Sequence, residues 1–253
     1  MAGSFTFMPE TSTPPLICAE ALGKRYGARH AVANLSMRLS AGTVLGFVGA
    51  NGGGKTTSMR MLAGLLRPDS GQAQVLGHDI ARDAAAVRGA VGYLSQRLSL
   101  YAELSVRQNL RFRAGLYLLP NARSRIDAAL ERFALTAHAN DAAGTLSGGW
   151  ARRLQLAAVT LHEPPLLLLD EPTAGLDARH RAQFWTWIGA RAADGGGVII
   201  ATHDLREAER CDQIIYFLPG RLVGPHPPAQ LIRDLGVADL EAASLHLTNG
   251  GSR

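Results

Sequence analysis

The stretch Gly49-Ala50-Asn51-Gly52-Gly53-Gly54-Lys55-Thr56-Thr57 constrains this chain more than any other. It fills every required position of G-x-x-x-x-G-K-[ST], a turn that cradles phosphates when it leaves a strand and opens a helix. Both flanks are present: Thr43 to Val48 reads as a buried strand, and Met59, Leu62, Ala63 and Leu66 recur at helical spacing. Glycines at 49, 52, 53 and 54 carry no Cβ, so backbone N–H groups can curl into a nest at a helix N-terminus, where the helix dipole also favours negative charge. Lys55 adds a point charge to the β and γ phosphates. Thr56 offers a hydroxyl to Mg²⁺, an ion that keeps most of its waters and takes further ligands from phosphate oxygens and a nearby carboxylate. The pattern reads as a nucleoside triphosphate site; a glycine-rich turn that holds nothing is the bland alternative. Lys24 and Lys55 are the only lysines among 26 Lys and Arg, so this position keeps a compact ammonium where arginine is used almost everywhere else.

The chain of 253 residues reads as one large domain or a core with a small appendage. No apolar run approaches the ~18 residues of a membrane-spanning helix, and no charged N-terminal region precedes an apolar core, so neither a membrane span nor a secretion signal is expected. Cys18 and Cys211 form no C-x-x-C pair, which speaks against a disulfide framework or a zinc site and suits a reducing cytosol. The net charge of +5 comes from scattered arginines without a dense basic run or a base-stacking aromatic cluster, so no nucleic-acid partner is expected.

Residues 1–15 are rich in Ser, Thr and Pro and read as a flexible N-terminal tail. Leu16 to Leu39 reads as antiparallel strands broken at Gly23, Gly27 and Asn34. Tyr26 in that region can be either a packing residue or an aromatic that stacks on an adenine ring. Arg67-Pro68-Asp69-Ser70-Gly71 stops the phosphate-loop helix; Gln74 to Leu76 and Val91 to Leu94 read as further strands. From Ser105, which forms a capping box with Gln108, a helix places Val106, Leu110, Ala114 and Tyr117 on one face. A helical subdomain occupies about 100–160. Within it Ser147-Gly148-Gly149 precedes Leu154, Ala157, Ala158 and Leu161 at helical spacing, so these three residues lie at a helix start as a second anion-binding end.

Leu166 to Leu169 reads as a central parallel strand ending in Asp170-Glu171, at the edge where doubly wound sheets place ligands. Asp170 is suited to hold Mg²⁺ and Glu171 to orient or deprotonate an attacking water; the alternative is an acidic pair capping the helix after Pro172. Asp177 caps the following helix. Val198 to Ala201 is another buried strand, and His203 beyond it is either a polar strand-end residue or one within reach of a γ-phosphate. Asp204 with Glu207 is expected to cap the next helix. A strand at Ile214 to Leu218, a Pro219-Gly220 turn, a short helix near Pro228 to Leu235 and an unpatterned tail over 236–253 complete the reading.

The order of phosphate loop, Gln96, Leu146-Ser147-Gly148-Gly149, Leu166 to Glu171, Ala174-Gly175-Leu176-Asp177 and His203 closely resembles the nucleotide-binding domain of ATP-binding cassette (ABC) transporters. The resemblance covers residues 16–235. It implies an α/β P-loop NTPase fold with a mixed, mainly parallel central sheet, an antiparallel β subdomain and an inserted α-helical signature subdomain. It also implies ATP and Mg²⁺ as ligands. It makes Tyr26 the adenine-stacking aromatic; Gly49, Ala50, Asn51, Gly52, Gly53, Gly54, Lys55, Thr56 and Thr57 the phosphate cradle; and Thr56, Gln96 and Asp170 the metal-side residues. Glu171 is then the catalytic base, His203 the γ-phosphate switch, and Gln96 and Lys55 participants in turnover. Ser147, Gly148, Gly149 and Asp177 would act across a dimer, on the nucleotide held by the opposite subunit. Trp150 departs from the glutamine most common after the signature glycines. The surroundings (Tyr93 to Gln96, Leu100-Tyr101, Leu161 to Pro164, Glu207 to Asp212) look like the drug-export branch, where tryptophan there is familiar.

The expected activity is ATP hydrolysis by a homodimer or heterodimer of cassettes, driving export of a small molecule through a separate integral membrane permease. The chain would lie on the inner face of the cell membrane. The segment near Gln96 and the helices after Leu100 would receive the permease. A soluble cassette ATPase that serves as an assembly or regulatory module is the rival from another class.

Overall fold

The computed structural model describes residues 14–249; residues 1–13 of the tail expected over 1–15, and the last four positions, lie outside the described residues. The strands of two sheets are interleaved along the chain. Strands β1 (Ile17–Tyr26) and β2 (Arg29–Leu39) pair antiparallel around Gly27, followed by β3 (Val44–Val48), α1 (Lys55–Leu62), β4 (Ser70–Val75), β5 (His78–Asp79), α2 (Ala84–Ala90) and β6 (Val91–Leu94). Then come α3 (Val106–Leu116), α4 (Ala122–Arg132), α5 (Gly148–Thr160), β7 (Leu166–Asp170), α6 (Ala178–Ala193), β8 (Gly197–Thr202), α7 (Leu205–Ala208), β9 (Gln213–Leu218), β10 (Arg221–His226), α8 (Pro228–Leu235) and α9 (Leu240–Asn249).

The larger sheet runs β10-β9-β3-β8-β7-β6, with every pair parallel except the β9–β10 hairpin; the smaller, β2-β1-β4-β5, is antiparallel throughout. Alternation of side chains explains the layering. In β7, Leu166 and Leu168 face one core, with Phe47, Met59 and the inner face of the small sheet, whereas Leu167 and Leu169 face the other, with Phe184, Trp185 and Ile188 of α6. Each fully buried leucine contributes about 1.5–3 kcal/mol, so a strand apolar on both faces holds only in the middle of such a sandwich. The helical subdomain has its own core, in which Val106, Leu110 and Ala114 of α3 meet Ile126 and Leu130 of α4, Leu154 of α5 and Leu161 just past its end. Ser105 accepts from the Gln108 N–H at 3.1 Å and Gln108 Oε1 accepts from the Ser105 N–H at 2.8 Å, the reciprocal cap expected from sequence.

Several boundaries differ from the sequence reading. Gly23 and Asn34 do not break strands: register shifts in β1 absorb the former, and Asn34 adopts φ 59 inside β2. Helix α1 ends at Leu62, with Gly64 at φ 66, before the Arg67-Pro68 stop. Strand β10, which contains Pro225, lies at the sheet edge, where a missing N–H leaves no ladder bond unmade. The tail expected over 236–253 is instead helical at α9: Leu240, Ala243 and Leu247 are buried, Asp239 Oδ1 accepts from the Ala242 N–H at 2.8 Å, and Arg221 Nη2 donates to the Leu247 carbonyl at 2.7 Å. Asp204 caps α7 through the Arg206 N–H at 2.9 Å, but Glu207 does not complete a capping box. Its buried carboxylate instead accepts from Thr202 Oγ1 at 2.8 Å and from Thr173 Oγ1.

Candidate active site

Strand β3 delivers the chain to the phosphate loop and α1 carries it away, so the loop sits at the C-terminal edge of the parallel strands. The glycines are needed there for space as well as for conformation. A Cβ on Gly49 (φ +136) would stand 2.3 Å from the Phe217 carbonyl oxygen of β9, and one on Gly54 (φ +105) would stand 2.2 Å from the Ala31 oxygen of β2. The loop is thus pinned between both sheets. Lys55 is buried and donates from Nζ to the Gly49 oxygen at 2.6 Å and the Ala50 oxygen at 3.0 Å, spanning the mouth of the turn. Burial pulls the Lys55 pKa below its ordinary value, opposed by the charges of Glu171 and Asp170.

Thr56 Oγ1 donates to Asp170 Oδ2 at 2.7 Å, joining the start of α1 to the end of β7. Burial raises the Asp170 pKa and Glu171 pushes the same way, while the Thr56 hydrogen bond, Lys55 and Arg152 hold it down. A hydroxyl and a carboxylate this close are hard oxygen donors facing a cationic phosphate cradle, a set that fits Mg²⁺ shared with a polyphosphate. The loop and these two residues line a cleft of about 590 Å³ together with Tyr26, Arg29, Ala31, Gln96 and Glu171. Tyr26, at the end of β1, is 51% exposed at the cleft, and Gln96 lies just past β6.

Glu171 is buried and holds φ +51, a left-handed conformation uncommon for a residue with a side chain. Its N–H donates to the Ala201 oxygen at 2.9 Å, and its Oε1 lies 2.9 Å from Nδ1 of His203. His203 is not among the residues lining the cleft and stands 64% exposed beside that carboxylate.

The remaining sequence-derived residues lie elsewhere. Ser147 is the N-cap position of α5 without a side-chain cap bond; it and Gly148 are exposed, and neither they nor Gly149 belong to the cleft around Lys55. Asp177 caps α6, accepting from the His180 N–H at 3.0 Å and lying 2.5 Å from His180 Nδ1, and these hydrogen bonds lower its pKa. The phosphate loop and the Asp170–Glu171 pair thus share one cleft, while the start of α5 at Ser147-Gly148-Gly149 does not line it.

Two residues at or beneath the site, Arg29 and Arg152, escaped the sequence reading, and a third, Glu207, reads from sequence only as a helix cap. Arg29 Nη2 donates to the Gly52 oxygen at 2.8 Å and lines the cleft. Arg152 lies buried under the two carboxylates, and Glu207 ties Thr173 to Thr202 behind them. None has a local signature: an arginine opening a strand, one on a helix face and a glutamate in a short helix are ordinary surface residues until the fold turns them inward.

Comparison with known proteins agrees with this geometry. Residues 32–174 match the family model described as ABC transporter. The daunorubicin resistance ATP-binding protein DrrA3 of Streptomyces coeruleorubidus is 42% identical over 223 residues, covering 87% of this chain and 71% of that protein. The probable multidrug ABC transporter ATP-binding protein YbhF of Escherichia coli (strain K12) is 39% identical over 218 residues, 85% of this chain but only 38% of that longer protein. Among solved structures, one described as the ATP binding subunit of an ABC transporter superposes with a TM-score of 0.85 at 27% identity, covering 92% of this chain and 99% of that one. With the family model over more than half of its length and a 42% identical relative along most of the remainder, this chain belongs to the ABC transporter family as an ATP-binding cassette, an ATPase.

Proposed function

We propose that this cassette works in pairs, hydrolysing ATP to drive export of a small molecule, such as a drug or antibiotic, through a separate membrane permease. The separation of Ser147-Gly148-Gly149 from the cleft that holds Lys55 carries this reading. Free N–H groups at a helix end are an anion site only when an anion reaches them, and a facing cassette is what brings its γ-phosphate there. Relatives named for drug resistance and multidrug transport support the exporter assignment. Among the described residues no helix is long and apolar enough to cross a membrane. A cavity of about 700 Å³, edged by the exposed Leu65, Tyr101, Phe112 and Leu116 between the core and the helical subdomain, is the surface assigned to the permease.

In the proposed cycle Tyr26 stacks on the adenine and the loop N–H groups with Lys55 surround the β and γ phosphates. Asp170 and Thr56 would hold Mg²⁺, which supplies charge neutralisation at the phosphate oxygens. Gln96 and Glu171 orient a water; Glu171 accepts its proton as the oxygen bonds to the γ-phosphorus and the bond to the ADP oxygen breaks. His203, hydrogen-bonded to Glu171, fixes that carboxylate and reaches toward the γ-phosphate. From the resemblance, Asp177 contacts the partner across the dimer. The Glu171→Gln protein should retain ATP, lose turnover and elute as a dimer with ATP and Mg²⁺ by size-exclusion chromatography with light scattering. A monomer under those conditions, with no companion cassette able to pair with it, refutes the shared-site reading.

A further inference from the structure

Beneath the cleft lies a buried polar hub that the nucleotide chemistry leaves unused. Arg152 and Gln155, 3% and 1% exposed, sit one turn apart on α5. Arg152 Nη1 donates to the Ser95 carbonyl at 2.8 Å and to Gln155 Oε1 at 2.9 Å; Nη2 donates to the carbonyls of Asp170 at 3.0 Å and Glu171 at 2.5 Å. Gln155 Nε2 continues the chain of contacts to the Arg97 carbonyl at 3.0 Å. One guanidinium thus joins three segments: the helix that starts at Ser147-Gly148-Gly149, the stretch around Gln96, and the end of β7.

A buried guanidinium is costly unless nearly all its donors are placed, and a planar fork can hold the Asp170–Glu171 carbonyls with one nitrogen and the Ser95 carbonyl with the other, which a single ammonium nitrogen cannot. The two carbonyls it grips belong to Asp170 and to Glu171, the residue before the left-handed position and the left-handed residue itself. Such a conformation persists only where surrounding bonds over-determine it. Here those bonds are the N–H to Ala201, the Ala174 N–H to the Glu171 oxygen at 3.2 Å, and the Arg152 fork.

We propose that Arg152 is a positioning residue for hydrolysis: by clamping the Asp170 and Glu171 carbonyls to that of Ser95, it sets where the Glu171 carboxylate points and ties that placement to the segment carrying Gln96. The inference rests on the reading of Glu171 as the base. Movement of the 95–99 stretch would reach Glu171 through one rigid fork, and so would movement of α5.

The full-length protein serves for the test, in Arg152→Met and Arg152→Lys forms, with Kd for a fluorescent ATP analogue, kcat, KM and melting temperature measured together. A misplacement near 1 Å costs on the order of 10²-fold, so Arg152→Met should lose about that factor in kcat. Its nucleotide Kd should stay within about threefold, since binding energy unrelated to the base is untouched. Arg152→Lys should recover part of kcat, because one ammonium nitrogen can meet either the Asp170–Glu171 pair or the Ser95 carbonyl, where the two nitrogens of the fork meet both. In a Glu171→Gln background, adding Arg152→Met should change the residual turnover by less than about twofold, as expected of residues acting through one another.

Wild-type kcat in both variants overturns the proposal, and so does an equal fall in kcat and affinity or a full further loss in the Glu171→Gln background. If Arg152→Met does not melt cooperatively, Arg152→Lys decides by the same criteria. The two readings fail separately: wild-type turnover by Glu171→Gln alone removes the base assignment and the premise here. An inactive Glu171→Gln beside fully active Arg152 variants removes only the clamp.

Discussion

Gly54→Ala tests whether the loop's shape, rather than its charge alone, makes the nucleotide site. Gly54 has φ +105 and its added Cβ would stand 2.2 Å from the Ala31 oxygen, against about 3.4 Å for ordinary contact, so the loop or β2 must yield by about 1 Å. A side chain held at such a φ costs about 1–3 kcal/mol, and overpacking against backbone adds about 1–3 kcal/mol. The sum, about 2–6 kcal/mol, corresponds in a chain of this size to a Tm fall of about 4–24 °C. Because the displaced segment is the cradle itself, a shift near 1 Å should also cost on the order of 10²-fold in ATP turnover. Gly77→Ala separates the two effects: Gly77 has φ +79 with nothing within 4 Å of its added Cβ. It should lose about 1–2 kcal/mol from backbone strain and bind ATP normally. Differential scanning fluorimetry and titration of a fluorescent ATP analogue measure both proteins. Were Gly54→Ala to bind ATP like the wild type and melt no lower than Gly77→Ala, the argument that the glycine is required by the Ala31 carbonyl would be wrong.

Lys55→Ala should abolish detectable nucleotide binding in the same titration while keeping a cooperative melt, because the two loop carbonyls it bonds can be met by water instead. Asp170→Asn keeps an oxygen acceptor for Thr56 but removes the charge, so the Mg²⁺ concentration for half-maximal turnover should rise at least about tenfold; an unchanged Mg²⁺ dependence counts against the metal role. His162 gives a pH signature. Burial and the charge of Arg113 lower its pKa to about 4, and its ring stacks on Tyr117 at 3.9 Å. A depressed histidine pKa means that the unfolded chain binds the proton first, so its stabilising contribution is complete above about pH 6.5. That contribution is lost as pH falls to about 4. His162→Phe should therefore melt with a shallower decline than wild type over that window, and parallel Tm curves would refute the assignment.

What could be read ahead of the fold divides by the range over which each signal acts. The Ser105–Gln108 cap, the Asp177 cap and the two-faced leucines of β7 are local, and each stands where the residue pattern puts it. The site's front rank was legible for the same reason, since a phosphate loop and a strand ending in two carboxylates are contiguous strings. Glu207 shows where local reading stops. Its spacing from Asp204 matches a capping box, yet α7 spans only four residues at the end of β8. There two threonines from separate segments offer hydroxyls to a carboxylate that would otherwise be buried without partners. The spacing permits both arrangements, and the buried hydroxyls favour the inward one.

Helix α9 and Arg152 were hidden in different ways. The Leu240, Ala243, Leu247 stripe is real but short, and an isolated helix of that length is marginal in water; it forms because α8 and the β9–β10 hairpin are there to cover. Arg152 belongs to a helix whose sequence marks it as amphipathic, where an arginine reads as part of the wet face. What turns it inward is the row of carbonyls left at Ser95, Asp170 and Glu171 where strands end and regular pairing gives out. Backbone acceptors at strand ends must be met, and they lie at the C-terminal edge of the sheet, which is also where the ligand cleft is. The same geometry that exposes phosphate-binding groups in front therefore demands a multivalent donor behind them. The residue supplying it is set by three-dimensional need, so its counterpart in any such sheet is found from unpaired carbonyls and not from spacing.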